Sequence, residues 1–305
     1  MRSILRKARI GTQPGGRPPA AVELSPEGVL AAALPGSGEA PVYAFVPLPH
    51  GALIPGIGEP NIRDAETVTS AIRSALGHVS PRTHAVTLVL PDTAVRVFML
   101  DFDSLPARHA EAIQVLRFRL RKMVPFEVEH AGISYQVLAQ DKTELKVLTA
   151  VLPGPVLAEY EAAVRAAGYD PGAVLPSSLA ALEAIDSMEA VLAANLSPLA
   201  LTTSITNGSD LLLHRTLDLP ENPALRLSEI QRGIAVAAAY FEDKLQAPAR
   251  QLHYAGCYET SEFARWIDNP ELSVIDLAPQ PETGAMTSLR HTNIAGAAGA
   301  LAGAS

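Results

Sequence analysis

The sequence has little of what stabilises secreted proteins or anchors membrane proteins. Cys257 is the single cysteine among 305 residues, which excludes an internal disulfide framework and any CxxC metal site and is typical of a reducing compartment. No run of about 18 apolar residues occurs, so the sequence predicts no membrane-spanning helix. The first residues are basic but lack the long apolar segment of a signal peptide. Together these absences predict a cytoplasmic chain.

The chain also lacks an excess of positive charge. Its net charge of −8 gives no overall reason to bind nucleic acid. Basic residues are concentrated at the N-terminus, where residues 1–22 contain no acid but hold Arg2, Arg6, Lys7, Arg9 and Arg17. We interpret residues 1–19 as a basic, flexible N-terminus. Contact of this segment with an anionic membrane surface is the alternative to simple solvation.

Sequence patterns of two common kinds of catalytic site are missing. The eight histidines show neither HxxxH nor HExxH spacing, so no zinc site is predicted. Ser177 and Ser178 lie outside any GxSxG motif, which excludes a hydrolase of that class. The hydrophobic content of 48% excludes a disordered chain and is enough for the cores of two lobes.

What the sequence does contain is a repeated order of strands and helices. A hairpin at Ala20–Leu34 is followed by a third strand, a helix at Asp64–Leu76 and a buried apolar strand. A second hairpin follows later in the chain, and after it a helix at Leu227–Leu245, with a capping box at Ser228 and Gln231. Duplication of this kind predicts an actin-like (ribonuclease H-like) two-lobed α/β fold.

Between the two copies the sequence predicts a small βαββα subdomain. Its first helix, Ala107–Met123, has an apolar stripe formed by Ile113, Leu116, Leu120 and Met123. Its second helix is Val156–Ala167, and a short helix at 174–187 then returns to the first lobe. The predicted boundaries are 20–93 with 173–189 for the first lobe, 94–172 for the inserted subdomain and 190–305 for the second lobe.

Several segments resemble one protein family. They are "LPDTAVRVFMLDFDSLP", the basic helix and strand "LRFRLRKMVPFEVEHAGISYQVL", and "AAAYFEDKLQAPARQLHYAGC". In this order they resemble PilM, the cytoplasmic actin-like protein of type IV pilus assembly, and the resemblance covers about residues 20–302. The cytoplasmic part of the type II secretion protein GspL is a related family with the same architecture.

The resemblance implies a nucleotide site that this chain has largely lost. The family's first hairpin reads roughly Asp-Ile-Gly-Ser-Ser, where this chain has Glu23-Leu24-Ser25-Pro26-Glu27. The second hairpin has Asn195-Leu196-Ser197-Pro198 in place of Asp-x-Gly, and the adenosine loop keeps Gly256 alone. The degenerate site is therefore assigned to Glu23, Ser25, Asn195, Ser197 and Gly256. Glu23 and Glu27 are interpreted as turn residues rather than metal ligands.

Two classes of function follow. In the first, the chain is a scaffold at the inner face of the cytoplasmic membrane with neither ATP hydrolysis nor a cofactor. It would bind the N-terminal tail of a PilN-like membrane protein in a groove between the first lobe and the inserted subdomain. Arg117 and Arg121 would anchor the tail and Phe126 would line the groove, although a core role for Phe126 is equally favoured. In the second class, the chain is a nucleotide-binding actin-like ATPase or switch, and weak binding of ATP with Mg²⁺ stays open in either case.

The basic helix also leaves two interpretations open. Its cations, Arg117, Arg119, Arg121 and Lys122, form either a cationic face for acidic lipid headgroups or a partner, or a solvated face opposite the apolar stripe.

Overall fold

The computed structural model describes residues 16–36, 39–58, 60–140, 144–267, 269–278 and 293–304. Most of the basic N-terminal segment lies outside this part of the chain. In the described part, two five-stranded sheets and one three-stranded sheet are surrounded by helices.

The first sheet has the strand order β3-β2-β1-β4-β8. Its strands are β1 (Ala20–Ser25), β2 (Gly28–Ala33), β3 (Val42–Pro47), β4 (Ala85–Leu90) and β8 (Asp170–Pro176). β1, β2 and β3 are antiparallel, whereas β4 is parallel to both β1 and β8. Strands β1 and β2 are rich in alanine and almost completely buried, because helices cover both faces of the sheet.

Two helices lie on one face of the first sheet. Helix α1 (Ala65–Val79) begins at Asp64, whose carboxylate accepts from Thr67 N (3.0 Å), as the sequence predicts. Helix α3 (Gly154–Ala166) contributes Tyr160 and Val164 to the same apolar core. The predicted boundaries put this second helix in the inserted subdomain. In the structure it packs on the first lobe, because its apolar stripe faces α1 and β8.

The second sheet repeats the first, with the order β11-β10-β9-β12-β13. Its strands are β9 (Ala190–Leu196), β10 (Ala200–Asn207), β11 (Asp210–Asp218), β12 (Gln251–Gly256) and β13 (Ser273–Asp276). In both sheets an antiparallel three-stranded meander is extended by two parallel strands. The duplication predicted from the sequence is therefore present in the topology.

Helices α5 (Pro223–Leu245) and α6 (Thr260–Trp266) accompany the second sheet. The sequence predicts the start of α5 at Leu227, with a capping box at Ser228. The helix instead begins one turn earlier, because Asn222 accepts from the amides of Ala224 and Leu225 (3.1 and 3.2 Å). Pro223 then takes the first helical position, where its missing N–H costs nothing.

The third sheet forms the inserted subdomain. Its strands, β5 (Arg96–Phe102), β6 (Gly132–Gln140) and β7 (Leu145–Leu152), are antiparallel in the order β5-β7-β6. Helix α2 (His109–Leu120) covers it with Leu116 and Leu120, which are fully buried. Met123 of the predicted stripe is 39% exposed, because the helix ends at Leu120.

Two short helices pack against each other between the lobes. Helix α4 (Ser177–Leu182) follows directly from β8, and helix α7 (Ala295–Ala302) crosses it. The sequence predicts a helix across 174–187. In the structure, residues 174–176 are instead the end of strand β8, which pairs with β4. Leu179 of α4 and Ala297 of α7 belong to an apolar cluster that also contains residues of both lobes. This apolar cluster joins the two lobes.

Candidate functional site

The strand order places polar residues of both lobes at one point. Asp92 follows the carboxyl end of β4, Ser177 and Ser178 follow β8, and Asn195 lies near the end of β9. The carboxyl ends of parallel strands are where α/β proteins build their ligand sites. Here these side chains contact one another; Asp92, Ser177 and Ser178 are buried, and Asn195 is half-buried.

Asp92 is the centre of this cluster. One carboxylate oxygen, Oδ1, accepts from the backbone N (3.0 Å) and the hydroxyl (2.8 Å) of Ser178, and the other, Oδ2, accepts from the Thr202 hydroxyl (2.9 Å). Burial raises the pKa of Asp92, although the hydrogen bonds from Ser178 and Thr202 act in the opposite direction. Because Thr202 is in β10, this carboxylate connects the first lobe to the second.

Glu23 is the second buried carboxylate. It lies within β1 rather than in the turn, so its interpretation as a turn residue is wrong. Ser177 Oγ donates to its Oε1 (2.6 Å), and the amide of Ala297, in the first turn of α7, donates to its Oε2 (3.0 Å). Burial raises the pKa of Glu23 to about 7, and the nearby charge of Asp92 adds to this rise.

Asn195 and His214 complete the polar cluster. Both polar atoms of the Asn195 side-chain amide are hydrogen-bonded when its oxygen accepts from Ser178 N (3.1 Å) and its nitrogen donates to Ala255 O (3.1 Å). His214 lies between Ser204 Oγ (2.9 Å from Nδ1) and Ser178 Oγ (3.5 Å from Nε2). Burial lowers the pKa of His214 to about 4, so the imidazole is neutral at physiological pH.

The two hairpins close on themselves with the same Leu-Ser-Pro sequence. In the first, Ser25 Oγ donates to Gly28 O (3.1 Å) and accepts from Gly28 N (3.2 Å). In the second, Ser197 Oγ accepts from the amides of Leu199 (3.3 Å) and Ala200 (3.0 Å). The serine side chains therefore stabilise their own turns. A proline follows each serine, and because proline has no N–H, that position cannot donate a hydrogen bond to a phosphate.

Gly256 ends strand β12 beside an aromatic stack. The hydroxyl of Tyr254 lies so close to Gly256 that a Cβ there would be 2.1 Å from it. The Tyr254 ring stacks on Phe263 at 4.0 Å, and its hydroxyl accepts from Tyr258 N (3.3 Å). The space next to the predicted adenosine loop is thus taken by a buried tyrosine of the chain itself.

The predicted partner residues lie apart from this cluster, in the inserted subdomain. Arg117 donates to the carbonyl oxygens of Val128 and Glu129, and Arg121 forms a 2.6 Å ion pair with Glu129. Both arginines therefore hold the segment that follows α2. Phe126 packs against the core of the subdomain. The structure brings these three residues together around the loop that follows α2. Their role in binding a partner stays a prediction.

In the described part of the chain, no group of three or more His, Cys, Asp or Glu is placed to hold a metal ion. No helix among the described residues has the length and apolar character needed to cross a bilayer.

The fold of the chain is similar to folds of known proteins, although its sequence is not closely similar to theirs. Neither a protein-family model nor a curated protein matches the chain. The fold is similar to a solved PilM–PilN type IV pilus biogenesis complex, with 17% identity, a TM-score of 0.72, and coverage of 94% of this chain and 98% of that one. The chain has the predicted actin-like fold. The cytoplasmic domain of EpsL, an inner-membrane component of the type II secretion system of Vibrio cholerae, is also similar (13% identity, TM-score 0.50, covering 88% and 90%).

Sequence reasoning found Glu23 and Asn195 but missed the residues that surround them. Asp92, Ser178, Thr202 and His214 belong to none of the catalytic or metal-binding sequence motifs described above. One signal was available for Asp92, since an acidic residue two positions after a buried parallel strand lies at the edge where such sheets form sites.

The buried Glu23 carboxyl predicts a pH dependence. The pKa of Glu23 in the folded state, about 7, lies above its ordinary value of 4.5. At a pH between these two values the carboxyl is protonated in the folded state and ionised in the unfolded state. The free energy of unfolding therefore falls as pH rises through this interval, by about 3 kcal/mol from this group. Glu23→Gln is expected to remove that part of the slope in urea unfolding measured from pH 4.5 to 8.

The matched control is Glu66→Gln, which changes an exposed glutamate on α1 and should leave the pH profile parallel to that of the wild type. A Glu23→Gln profile that is also parallel to the wild type would contradict the expectation.

Proposed function

We propose that the chain is a scaffold of a type IV pilus or type II secretion-like assembly at the cytoplasmic face of the inner membrane. It binds the N-terminal tail of a PilN-like membrane protein and does not hydrolyse ATP. The observation that carries this proposal is the likeness of fold to a PilM–PilN complex along 94% of the chain. The likeness to the cytoplasmic domain of EpsL supports the same setting.

The hydrogen bonds of the polar cluster around Asp92 and Glu23 support the absence of hydrolysis. Phosphoryl transfer needs carboxylates that hold Mg²⁺ and backbone N–H groups that face the phosphates. Glu23 and Asp92 instead accept hydrogen bonds from the protein itself. The two hairpin serines bond within their own turns. The groups that nucleotide chemistry requires are thus used to connect the lobes.

Strand β6 is the place where we propose that the tail binds. In the part of the chain that the structure describes, β6 pairs with β7 on one side alone, and an unpaired strand edge accepts an extended peptide through backbone hydrogen bonds. A cavity of about 530 Å³ runs along residues 135–140 and His109. Leu138 packs against the apolar cluster that contains Tyr43 of the first lobe, so this edge borders the predicted junction.

Calorimetric titration of the full chain with two ligands tests the proposal. A synthetic N-terminal tail peptide of a PilN-like protein is expected to bind, whereas ATP with Mg²⁺ is expected to give no turnover above background. Val137→Asp places a charge on the exposed face of β6 and should lower the affinity for the peptide by about tenfold or more. Leu225→Asp, an exposed leucine of α5, should leave peptide affinity unchanged.

Two results would contradict the proposal. Absence of peptide binding at high micromolar concentration would remove the scaffold function in this form. Metal-dependent ATP turnover that disappears in Glu23→Ala would instead establish the nucleotide-dependent alternative.

A further inference from the structure

The outward face of helix α2 and the turn directly after it carry four exposed side chains at helical spacing. Val115 and Phe118 are three residues apart, as are Arg119 and Lys122, and each apolar residue is four residues before a cation. Such spacings place Val115, Phe118 and Arg119 on one face of α2, and Lys122 lies in the turn that directly follows the helix. Phe118 is 71% exposed and Val115 is 36% exposed. We name this group the α2 outer face.

The cations of the α2 outer face differ from the other basic residues of the same segment. Arg117 and Arg121 bond to residues 128–129, as described above. Arg119 and Lys122 form no salt bridge or hydrogen bond with the described residues. The structure thus divides four similar cations into two with a structural role and two directed to solvent beside an exposed aromatic ring.

No acidic residue in the described part of the chain forms an ion pair with Arg119 or Lys122. Glu111, on the same helix, pairs with Arg108 at 3.4 Å, and Glu129 pairs with Arg121. The face therefore has a local positive charge on a chain whose net charge is −8. An anionic surface is therefore attracted to this part of the molecule.

We propose that the α2 outer face binds the surface of an anionic phospholipid bilayer. A protruding Phe with Arg as the next residue and Lys four residues later can insert its ring at the headgroup boundary while the cations reach the lipid phosphates. Charge complementarity favours a bilayer, because two cations without an acidic partner among the described residues, beside an exposed ring, match lipid phosphates above an apolar boundary. The inference goes beyond the proposed tail binding and shares with it only the place beside a membrane.

Vesicle flotation of the full chain tests the proposal. At low ionic strength the wild type is expected to float with vesicles of phosphatidylcholine mixed with phosphatidylglycerol, and not with phosphatidylcholine alone. Each basic residue near an anionic membrane is worth about fivefold in partitioning. Arg119→Glu combined with Lys122→Glu should therefore lower binding by more than about tenfold, and Phe118→Asp by a similar factor.

Matched controls come from the second lobe. Leu225→Asp adds the same charge at another exposed apolar residue, and Arg215→Glu combined with Arg265→Glu reverses two other exposed cations. Both controls should bind anionic vesicles as the wild type does. Thermal unfolding of every variant shows that loss of binding does not come from loss of folding.

Two outcomes would overturn the proposal. The first is a negative result in the vesicle experiment itself. If the wild type does not float with anionic vesicles, the chain does not bind them; if the α2 variants float as well as the controls, another part of the chain binds the membrane. In the second, Phe118→Asp abolishes binding of the tail peptide and leaves flotation unchanged, which would make the α2 outer face a protein-binding surface. The peptide titration is separate from flotation, so failure of tail binding does not decide the lipid result.

Discussion

Replacing Asp92 by alanine is expected to lower the free energy of unfolding by about 4 kcal/mol. The change removes the acceptor of three buried donors, namely the amide and hydroxyl of Ser178 and the hydroxyl of Thr202. Each unsatisfied buried donor costs about 1 to 3 kcal/mol. The two hydroxyls lose a buried carboxylate, and the Ser178 amide keeps only its second acceptor, the Asn195 side-chain oxygen (3.1 Å). Urea unfolding at neutral pH measures the loss.

Two further substitutions give the Asp92 result its meaning. Asp218→Ala removes a carboxylate that is 64% exposed and pairs with Arg96, so it should cost no more than about 1 kcal/mol. Asp92→Asn keeps one acceptor for Ser178, and burial already favours the neutral form of Asp92, so it should cost clearly less than Asp92→Ala. Equal losses for Asp92→Ala and Asp218→Ala would show that the cluster contributes little to joining the lobes.

The sequence predicted the fold because its signals are local. The hairpin at Ala20–Leu34 and the helix capped by Asp64 can each be recognised from fewer than about 20 consecutive residues. Their repetition then indicated the duplicated architecture. The resemblance to PilM, based on about three segments, is matched by a likeness of fold along 94% of the chain.

The candidate site was only partly predictable because its contacts are distant in sequence. Asp92 contacts Ser178 and Thr202, which are 86 and 110 residues away. No periodicity relates positions so far apart. Glu23 was found through the family resemblance, but its burial depends on α7, whose Ala297 is 274 residues further along the chain.

The partner residues show a different limit of sequence reasoning. Arg117 and Arg121 were selected because residues four apart share a helix face. That face is directed toward the returning segment, where Val128 and Glu129 supply carbonyl oxygens and a carboxylate. Whether a cation on a helix meets solvent or its own chain depends on the path of the following loop. Helical spacing alone does not contain that information.

Gly299→Ala is expected to lower the free energy of unfolding by about 4 kcal/mol or more. A Cβ at this position in α7 would be 1.8 Å from the carbonyl oxygen of Ala180 and 3.1 Å from the amide nitrogen of Ala184. Both atoms belong to the backbone around the end of α4, so no side chain can rotate away, and relief requires the two helices to separate. Separation would open the apolar cluster that joins the lobes and would cost more than ordinary overpacking of a core.

Gly77→Ala is the matched control for this expectation. Gly77 lies inside helix α1, and a Cβ there would have no atom within 4 Å. The same addition of one methyl group should therefore raise stability by about 0.5 to 1 kcal/mol, because alanine favours the helix over glycine. Thermal unfolding and the yield of folded protein compare the two variants. If Gly299→Ala unfolds at the temperature of the wild type, the close approach of α4 and α7 is not what holds the lobes together.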